Sequence, residues 1–498
     1  MINAEKFKDI NTDRFVYVFL VLFTLITQFY THNQETLGWD VNTFIVMSQD
    51  VLRGNLPYEN YFDNKGPVLY FLYAIPTFFQ KLIIIKIFND LALAFLAIQM
   101  FQISKRVTEK NSVFLDTIPS TFFLLYMSHP QGHPGMSEIY SLIFVSLSIK
   151  KLITATNSKT HYFVGFYLSI SYLVTPSVIL LILSVTFLVI VRIQKFKNYE
   201  LFRYFLYGGF TPFFLVSILY ILKNEFNKLF FALFLFPINY SSNLSILNNV
   251  KTLIEHLLQL IYVEYFKLIG LLSTFLFIAF VYFLIRSLLD INNIKLEYSI
   301  DFLRNLILVL ILSSIISFLL LPVGHWHYLI YYYFSISFLP LFINNFKVRY
   351  IFWLFIFVSL INIAPLVVKG SLKNIVNLNN ISEQYEIYQD YKTISTKYQI
   401  NSAIALDDHL MLFYFNIGSD NYIVHPSNYQ KISYMSTLLK NGYIKENELS
   451  NIVEYGETDL LICTNEYEDI CSINLKNYKK IKVNDRGQIF YINKKFER

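Results

Sequence analysis

A chain of 498 residues that is 55% hydrophobic and 15% charged, with a mean hydropathy of +0.44, is too apolar for a soluble globular protein, in which about a quarter of residues are charged. Its formal charge of +6 comes from basic residues gathered in particular loops, the signature of membrane topology and not of a nucleic-acid-binding surface. Only two cysteines occur, Cys463 and Cys471, and without a Cys-x-x-Cys spacing they support neither a thiol metal site nor a redox motif.

Residues 1–14 are polar and carry Lys6, Lys8 and Arg14, which sets the N-terminus on the cytoplasmic side. The apolar stretch 15–30 lacks a small-residue cleavage site and reads as an uncleaved signal anchor, so the loop 31–66 is outside. That loop holds Gly38-Trp39-Asp40, an amphipathic run 43–52, Gly54-Asn55-Leu56-Pro57-Tyr58 and Asp63-Asn64-Lys65-Gly66-Pro67. The next apolar stretch, 68–80, is short and contains Pro76, and reads as a helix lying on the outer surface. Spans follow at 83–103, 113–128, 138–153, 161–174, 177–192, 204–222, 265–286, 303–321, 327–343 and 350–368, which with the anchor make about eleven crossings.

Span 161–174 is short and is parted from the next by Thr175-Pro176, which predicts a tight hairpin. Between 223 and 264 an outer loop carries two amphipathic pieces, 228–236 and 251–262, expected at the interface. Every predicted inner loop is basic: Lys105-Arg106-Lys110, Lys150-Lys151, Arg192 to Arg203, Arg286 to Arg304, and Lys347 with Arg349. The register puts everything after Lys369 outside. There the long apolar runs stop, and the pattern predicts a helix at 382–397, strands at 403–406, 422–425 and 459–463, a short helix at 409–415, and a hairpin of 478–483 with 488–493 turning at Asp485-Arg486-Gly487. The expected fold is a polytopic α-helical membrane protein with a small extracytoplasmic α/β domain: residues 1–368 form the membrane domain, with a catalytic outer loop at 31–67, and 369–498 the soluble domain.

Ionisable and turn-forming residues gather on the outer side. Asp40 and Lys65 stand in the first outer loop; His129-Pro130-Gln131-Gly132-His133-Pro134-Gly135-Met136-Ser137-Glu138 forms another; Pro322-Val323-Gly324-His325-Trp326-His327-Tyr328 forms a third. Charge at a bilayer boundary is costly unless it faces protein or a wet cavity, so this convergence points to a site.

Asp40, Gly54-x-x-Pro57-Tyr58, Asp63-x-Lys65-Gly66-Pro67, an outer Glu138 and a late His327-Tyr328 together resemble the GT-C superfamily, in its protein O-mannosyltransferase and aminoarabinose-transferase branch. The resemblance covers the membrane domain and is strongest over residues 38–70. It implies a glycosyltransferase that moves one sugar from a polyprenyl-phosphate donor to an acceptor hydroxyl on a glycan, lipid or protein, at the outer face of the plasma or inner membrane. It implies Asp40 as the catalytic residue and Lys65 as the contact to the donor phosphate. Many members carry an acidic pair at the aspartate; here Val41 follows Asp40, so no carboxylate-bound metal or other cofactor is carried over. A carboxylate in reach of the acceptor can take its proton, and a cation can stabilise the departing phosphate in a low-dielectric pocket. Glu138 is then a candidate to orient the acceptor or hold Lys65, and Tyr58, His325, His327 and Tyr328 are candidates for the donor.

Simpler readings compete. Asp40 as N-cap of a helix starting near Asn42, Lys65 as a snorkelling lysine, Glu138 as a first-turn acid and the histidines around Trp326 as part of an aromatic belt are each sufficient alone. Pro130 and Gly132 disfavour a helical metal pair of His129 and His133, Asp407-Asp408 fits a turn, and an outer location makes a Cys463–Cys471 disulfide an open question. As whole functions, a flippase or carrier of lipid-linked saccharides and a polysaccharide polymerase remain beside the transferase; no internal repeat favours a carrier, and the absence of His-Glu-x-x-His disfavours a metalloprotease.

Overall fold

The computed structural model describes residues 2–33, 35, 37–108, 113–129, 134–153, 157–196, 198–240, 246–262, 267–289, 300–320, 326–342, 346–376, 385–407, 409–429, 431–463, 475–484 and 487–497. The chain forms two compact units, and neither is one continuous stretch. The first takes Met1–Thr31, Ile87–Ile218 and Leu244–Lys373; the second takes His32–Lys86, Leu219–Asn243 and Asn374–Arg498.

The first unit is helical. Four helices among the described residues are long and apolar enough to cross a membrane, Thr12–His32, Leu82–Arg106, Tyr199–Leu222 and Phe352–Asn374, and shorter apolar helices run between them. These lengths and compositions mark a membrane-embedded protein. Two predicted spans are interrupted. The stretch 113–128 is broken into Val113–Asp116 and Ile118–Met127, where Pro119 follows the break and sits in the first turn, the helical place a proline tolerates. The stretch 327–343 becomes a 3₁₀ turn Trp326–Tyr328, a helix Leu329–Ile336 and a second 3₁₀ turn Leu339–Phe342 carrying Pro340.

The predicted break at Thr175-Pro176 is present: helix Ser158–Val174 ends at an extended Thr175 and Pro176 opens the turn into Ile179–Phe196, but helix Ser158–Val174 packs chiefly on Ser137–Ile153 and not on the helix that follows. Helix Ser158–Val174 starts at a capping box in which Asn157 Oδ1 accepts from the Thr160 N–H at 3.0 Å. Its Gly165 lies against Tyr199–Leu222 so closely that a Cβ would stand 2.0 Å from the Phe205 carbonyl oxygen, and one on Gly208 would stand 1.9 Å from that of Tyr162. Only glycine lets these two backbones meet, as in membrane helix pairs joined through small residues.

In the second unit a four-stranded sheet has the order β1-β2-β4-β3, with β1 Ala403–Ala405, β2 Leu460–Cys463, β3 Tyr478–Val483 and β4 Ile489–Asn493. β1 and β2 are parallel and the other pairs antiparallel. Both inner strands alternate or run continuously apolar, and Ile404, Leu406, Leu461, Cys463 and Tyr478 close a core with Leu449 and Val453 of helix Glu448–Tyr455. Cys463 is disulfide-bonded; Cys471, the chain's other cysteine, lies outside the described residues.

Helix Trp39–Leu52 belongs to this same unit. Gly38, at φ 83°, bends the chain into it, and every residue from Val41 to Asp50 is buried. The amphipathic run read from the sequence is therefore buried from Thr43 to Asp50, against helix Pro67–Thr77 and the short helix Leu410–Phe415, and exposed only at its end, at Leu52. Gln49 Nε2 donates to the Phe413 carbonyl at 3.1 Å, and Ser48 Oγ to that of Tyr70 at 2.9 Å. The segment 422–425 is not a strand of the sheet as expected; it makes a parallel bridge, Phe62 to Ile423, where the Phe62 N–H donates to the Tyr422 carbonyl at 2.7 Å. The chain thus does not divide once at 368/369: the first loop and residues 219–243 pack with the C-terminal segment, because a helix buried on all faces needs cover that the loop alone lacks.

Candidate functional site

The second unit assembles a charged cluster around Asp40. Trp39 and Asp40 open their helix, with Gly38 as N-cap and no side-chain cap hydrogen bond, so Asp40 is not the cap that the simpler reading required. Instead Asp40 Oδ1 meets His425 Nε2 at 2.9 Å, and Nδ1 of the same ring meets Ser427 Oγ at 3.1 Å. The Trp39 indole and the His425 ring pack at right angles, centroids 6.1 Å apart. The imidazole is thereby held at both nitrogens and against the indole. In this pair the Asp40 side chain keeps 25% of its exposure and His425 9%, so the carboxylate is the member that a ligand can reach.

Behind this pair lies the turn 63–67. Asp63 is buried; its Oδ2 accepts from the Tyr70 hydroxyl at 2.9 Å and its Oδ1 from the Asn64 N–H at 2.8 Å. Burial pushes its carboxyl above the usual carboxylate range, against the pull of Lys65 and then His425, while the Asp40 charge adds to the rise. Lys65 is buried too, and Tyr58 sets its backbone by donating a hydroxyl hydrogen bond to the Lys65 carbonyl. Tyr58 itself is 1% exposed and holds a positive φ of 70°. Its hydroxyl thereby positions the Lys65 backbone.

The loop before this turn is held by its own polar side chains. Asp50 Oδ1 accepts from Asn55 Nδ2 at 2.8 Å and from Asn60 Nδ2 at 3.2 Å, and burial raises its carboxyl. Tyr220 donates to the Pro57 carbonyl at 2.9 Å and Tyr422 to that of Tyr58 at 3.0 Å.

The third side of the cluster is the turn that follows His425. Lys431 Nζ reaches Asn428 Oδ1 at 3.4 Å. Burial lowers its ammonium's proton affinity, Asp40 and Asp63 raise it, and Lys65 lowers it, so Lys431 stands in the field of all three. His409, at the start of helix Leu410–Phe415, is buried and pairs with Thr43 Oγ1 at 2.9 Å. Burial first, and His425 second, depress it to about 3, so it is a neutral wall of the cluster.

Asp40, Asp63, Lys65, His425 and Lys431 together offer a base held in one orientation beside two cations. Such a set suits chemistry that removes a proton and accepts an anionic leaving group. No protein-family model matches the chain, and no curated protein matches it. Among the described residues, no group of three or more His, Cys, Asp or Glu side chains is arranged to hold a metal ion.

Asp40, Lys65 and Tyr58 are thus brought into one unit. Glu138, His327 and Tyr328 belong to the other. Glu138 is a buried first-turn acid of helix Ser137–Ile153 that accepts from Ser137 Oγ at 3.2 Å, and His327 packs on Tyr328 with ring centroids 4.2 Å apart. His325, His133 and Asp408 lie outside the described residues. Asp407 accepts from Gln488 Nε2 at 2.6 Å, the bond of a structural turn. Three members of the cluster were not singled out as site residues from the sequence. Asp63 stood in the quoted motif; His425 closed a predicted strand, with Pro426 and Ser427 signalling a turn; Lys431 had no local signal among the tail's many lysines.

Proposed function

We propose that the chain is a membrane glycosyltransferase that moves a single sugar from a polyprenyl-phosphate donor to an acceptor hydroxyl at the outer face of the membrane. The observation that carries this is the Asp40–His425 pair at 2.9 Å, in a cluster that also holds Lys65 and Lys431. With Oδ1 anchored on the imidazole, the carboxylate is oriented to take the acceptor's proton as its oxygen bonds to the anomeric carbon. The bond between that carbon and the phosphate oxygen breaks, and its electron pair leaves with the phosphate, whose growing charge Lys65 stabilises. In this scheme the long and short apolar helices make about eleven crossings, with the N-terminus cytoplasmic and the C-terminal segment outside. Glu138, His325, His327 and Tyr328 are assigned no step.

Purified protein supplied with labelled lipid-phosphate sugars tests the proposal. Wild-type protein transfers one of them; Asp40→Asn accumulates in the membrane as the wild type does but loses about 100-fold or more of the turnover. Full activity in Asp40→Asn removes the base, and with it the mechanism.

The hydrogen-bond chain Ser427–His425–Asp40 supports a second reading, in which His425 activates Ser427 as a nucleophile. Acyl transfer of that kind gives the two lysines no task, which favours the first. Ser427→Ala separates them: it lowers sugar transfer only in part, by loosening His425, whereas a serine nucleophile is lost with it and is labelled by a fluorophosphonate in the wild type.

A further inference from the structure

Lys431 forms no ion pair among the described residues, although it stands in the field of Asp40, Asp63 and Lys65. Its ammonium makes one long hydrogen bond, to the neutral amide oxygen of Asn428 at 3.4 Å. The neighbouring carboxylates are engaged elsewhere: Asp40 Oδ1 on His425, and Asp63 on Tyr70 and the Asn64 N–H. Burial of the ammonium is costly and the second lysine nearby adds to that cost, while the charges of Asp40 and Asp63 offset part of it without bonding to it. The residue is also held in place. Asn428 lies on the 3₁₀ turn Pro426–Tyr429 directly after His425, the Tyr429 hydroxyl ties that turn to the Ile423 carbonyl at 2.6 Å, and Ile423 is bridged to Phe62, three residues before Lys65. The two lysines therefore hang from one backbone junction, one on each side.

We propose that Lys431 is a second contact to the phosphate group, so that the donor's anion is gripped between Lys65 of the first loop and Lys431 of the C-terminal segment. This rests on the reading of the cluster as a lipid-phosphate site, and it makes the C-terminal segment part of the donor site. An anion seated there relieves the repulsion between the two ammoniums and gives Lys431 the charge-assisted bond it lacks.

The test measures binding of farnesyl phosphate, of farnesol and of inorganic phosphate to the purified full-length protein. Wild type binds farnesyl phosphate more tightly than farnesol. Lys431→Ala and Lys431→Gln weaken farnesyl phosphate binding about 10- to 100-fold and leave farnesol unchanged, and Lys431→Arg restores the phosphate preference. A purely structural lysine moves both ligands alike. Competition by inorganic phosphate at similar concentration identifies the ligand as free phosphate; its failure to compete identifies the lipid headgroup, and either supports the anion contact. If both Lys431 variants keep the phosphate preference while Lys65→Ala loses it, the inference is overturned and the phosphate site stands. If wild type itself does not distinguish the phosphate from the alcohol, the inference and the lipid-phosphate site fall together, leaving only the transfer assay to judge Asp40.

Discussion

Asp40 and His425 act as one group, because the imidazole fixes the carboxylate's orientation and is itself fixed by Ser427 and Trp39. Their substitutions are therefore not additive: His425→Ala lowers kcat about 10-fold or more with KM little changed, and the double variant Asp40→Asn with His425→Ala is no slower than Asp40→Asn alone. Independent losses that multiply would show that the two do not work together. His409 makes a different prediction. Its folded-state value of about 3 lies below the ordinary 6.5, so between these values the unfolded chain binds a proton that the native one does not. Stability is full above 6.5 and falls as the pH drops toward 3, by on the order of a few kcal/mol. His409→Asn flattens that slope, which unfolding temperatures in detergent between pH 7 and 4 will show. Asp40 and Lys65 stood out in the sequence because each lies beside a turn of the first outer loop, Gly38-Trp39 before the acid and Gly66-Pro67 after the lysine. Lys431 did not, since its surroundings come from residues hundreds of positions away.

Elements with local signals formed as read. Gly38 and the Gly66-Pro67 pair start their helices, the hairpin of β3 and β4 pairs antiparallel, and the Thr175-Pro176 break is present. What failed was the environment of elements: in 422–425 only Ile423 makes a β-bridge, and nothing local says that its partner is Phe62. One missed device is Glu35, buried at the start of helix Glu386–Ser395. It accepts the Ile387 N–H at 2.8 Å, the Tyr388 N–H at 3.0 Å and the Tyr414 hydroxyl at 3.1 Å. A carboxylate there satisfies two orphan amides and complements the helix dipole. Glu35→Ala is expected to destabilise that helix by about 2–3 kcal/mol, seen as faster hydrogen exchange at Ile387 and Tyr388. The Gly165–Gly208 approach gives a steric counterpart: Gly208→Val forces its helix away from Tyr162 and lowers the unfolding temperature in detergent, at a cost of about 1–3 kcal/mol or more.

At the scale of the molecule, a reading in chain order places a boundary wherever composition changes, and here that falls near residue 369. Compactness follows contacts instead, and the second unit draws on three separate stretches. An expressed fragment 374–498 would leave Leu410–Phe415 without helix Trp39–Leu52 and Ile423 without Phe62. That fragment is expected to be aggregated or poorly folded by circular dichroism, and to gain a cooperative transition only when joined to 32–86 and 219–243. A stable, monodisperse fragment would contradict the shared unit.

Asp40 and His425 are 385 positions apart in the chain. A ribosome making about 5–20 residues per second needs roughly 20 to 80 s to deliver the second after the first. During that interval the nascent loop has its acid without its imidazole, so the pair forms only after residue 425 has been made.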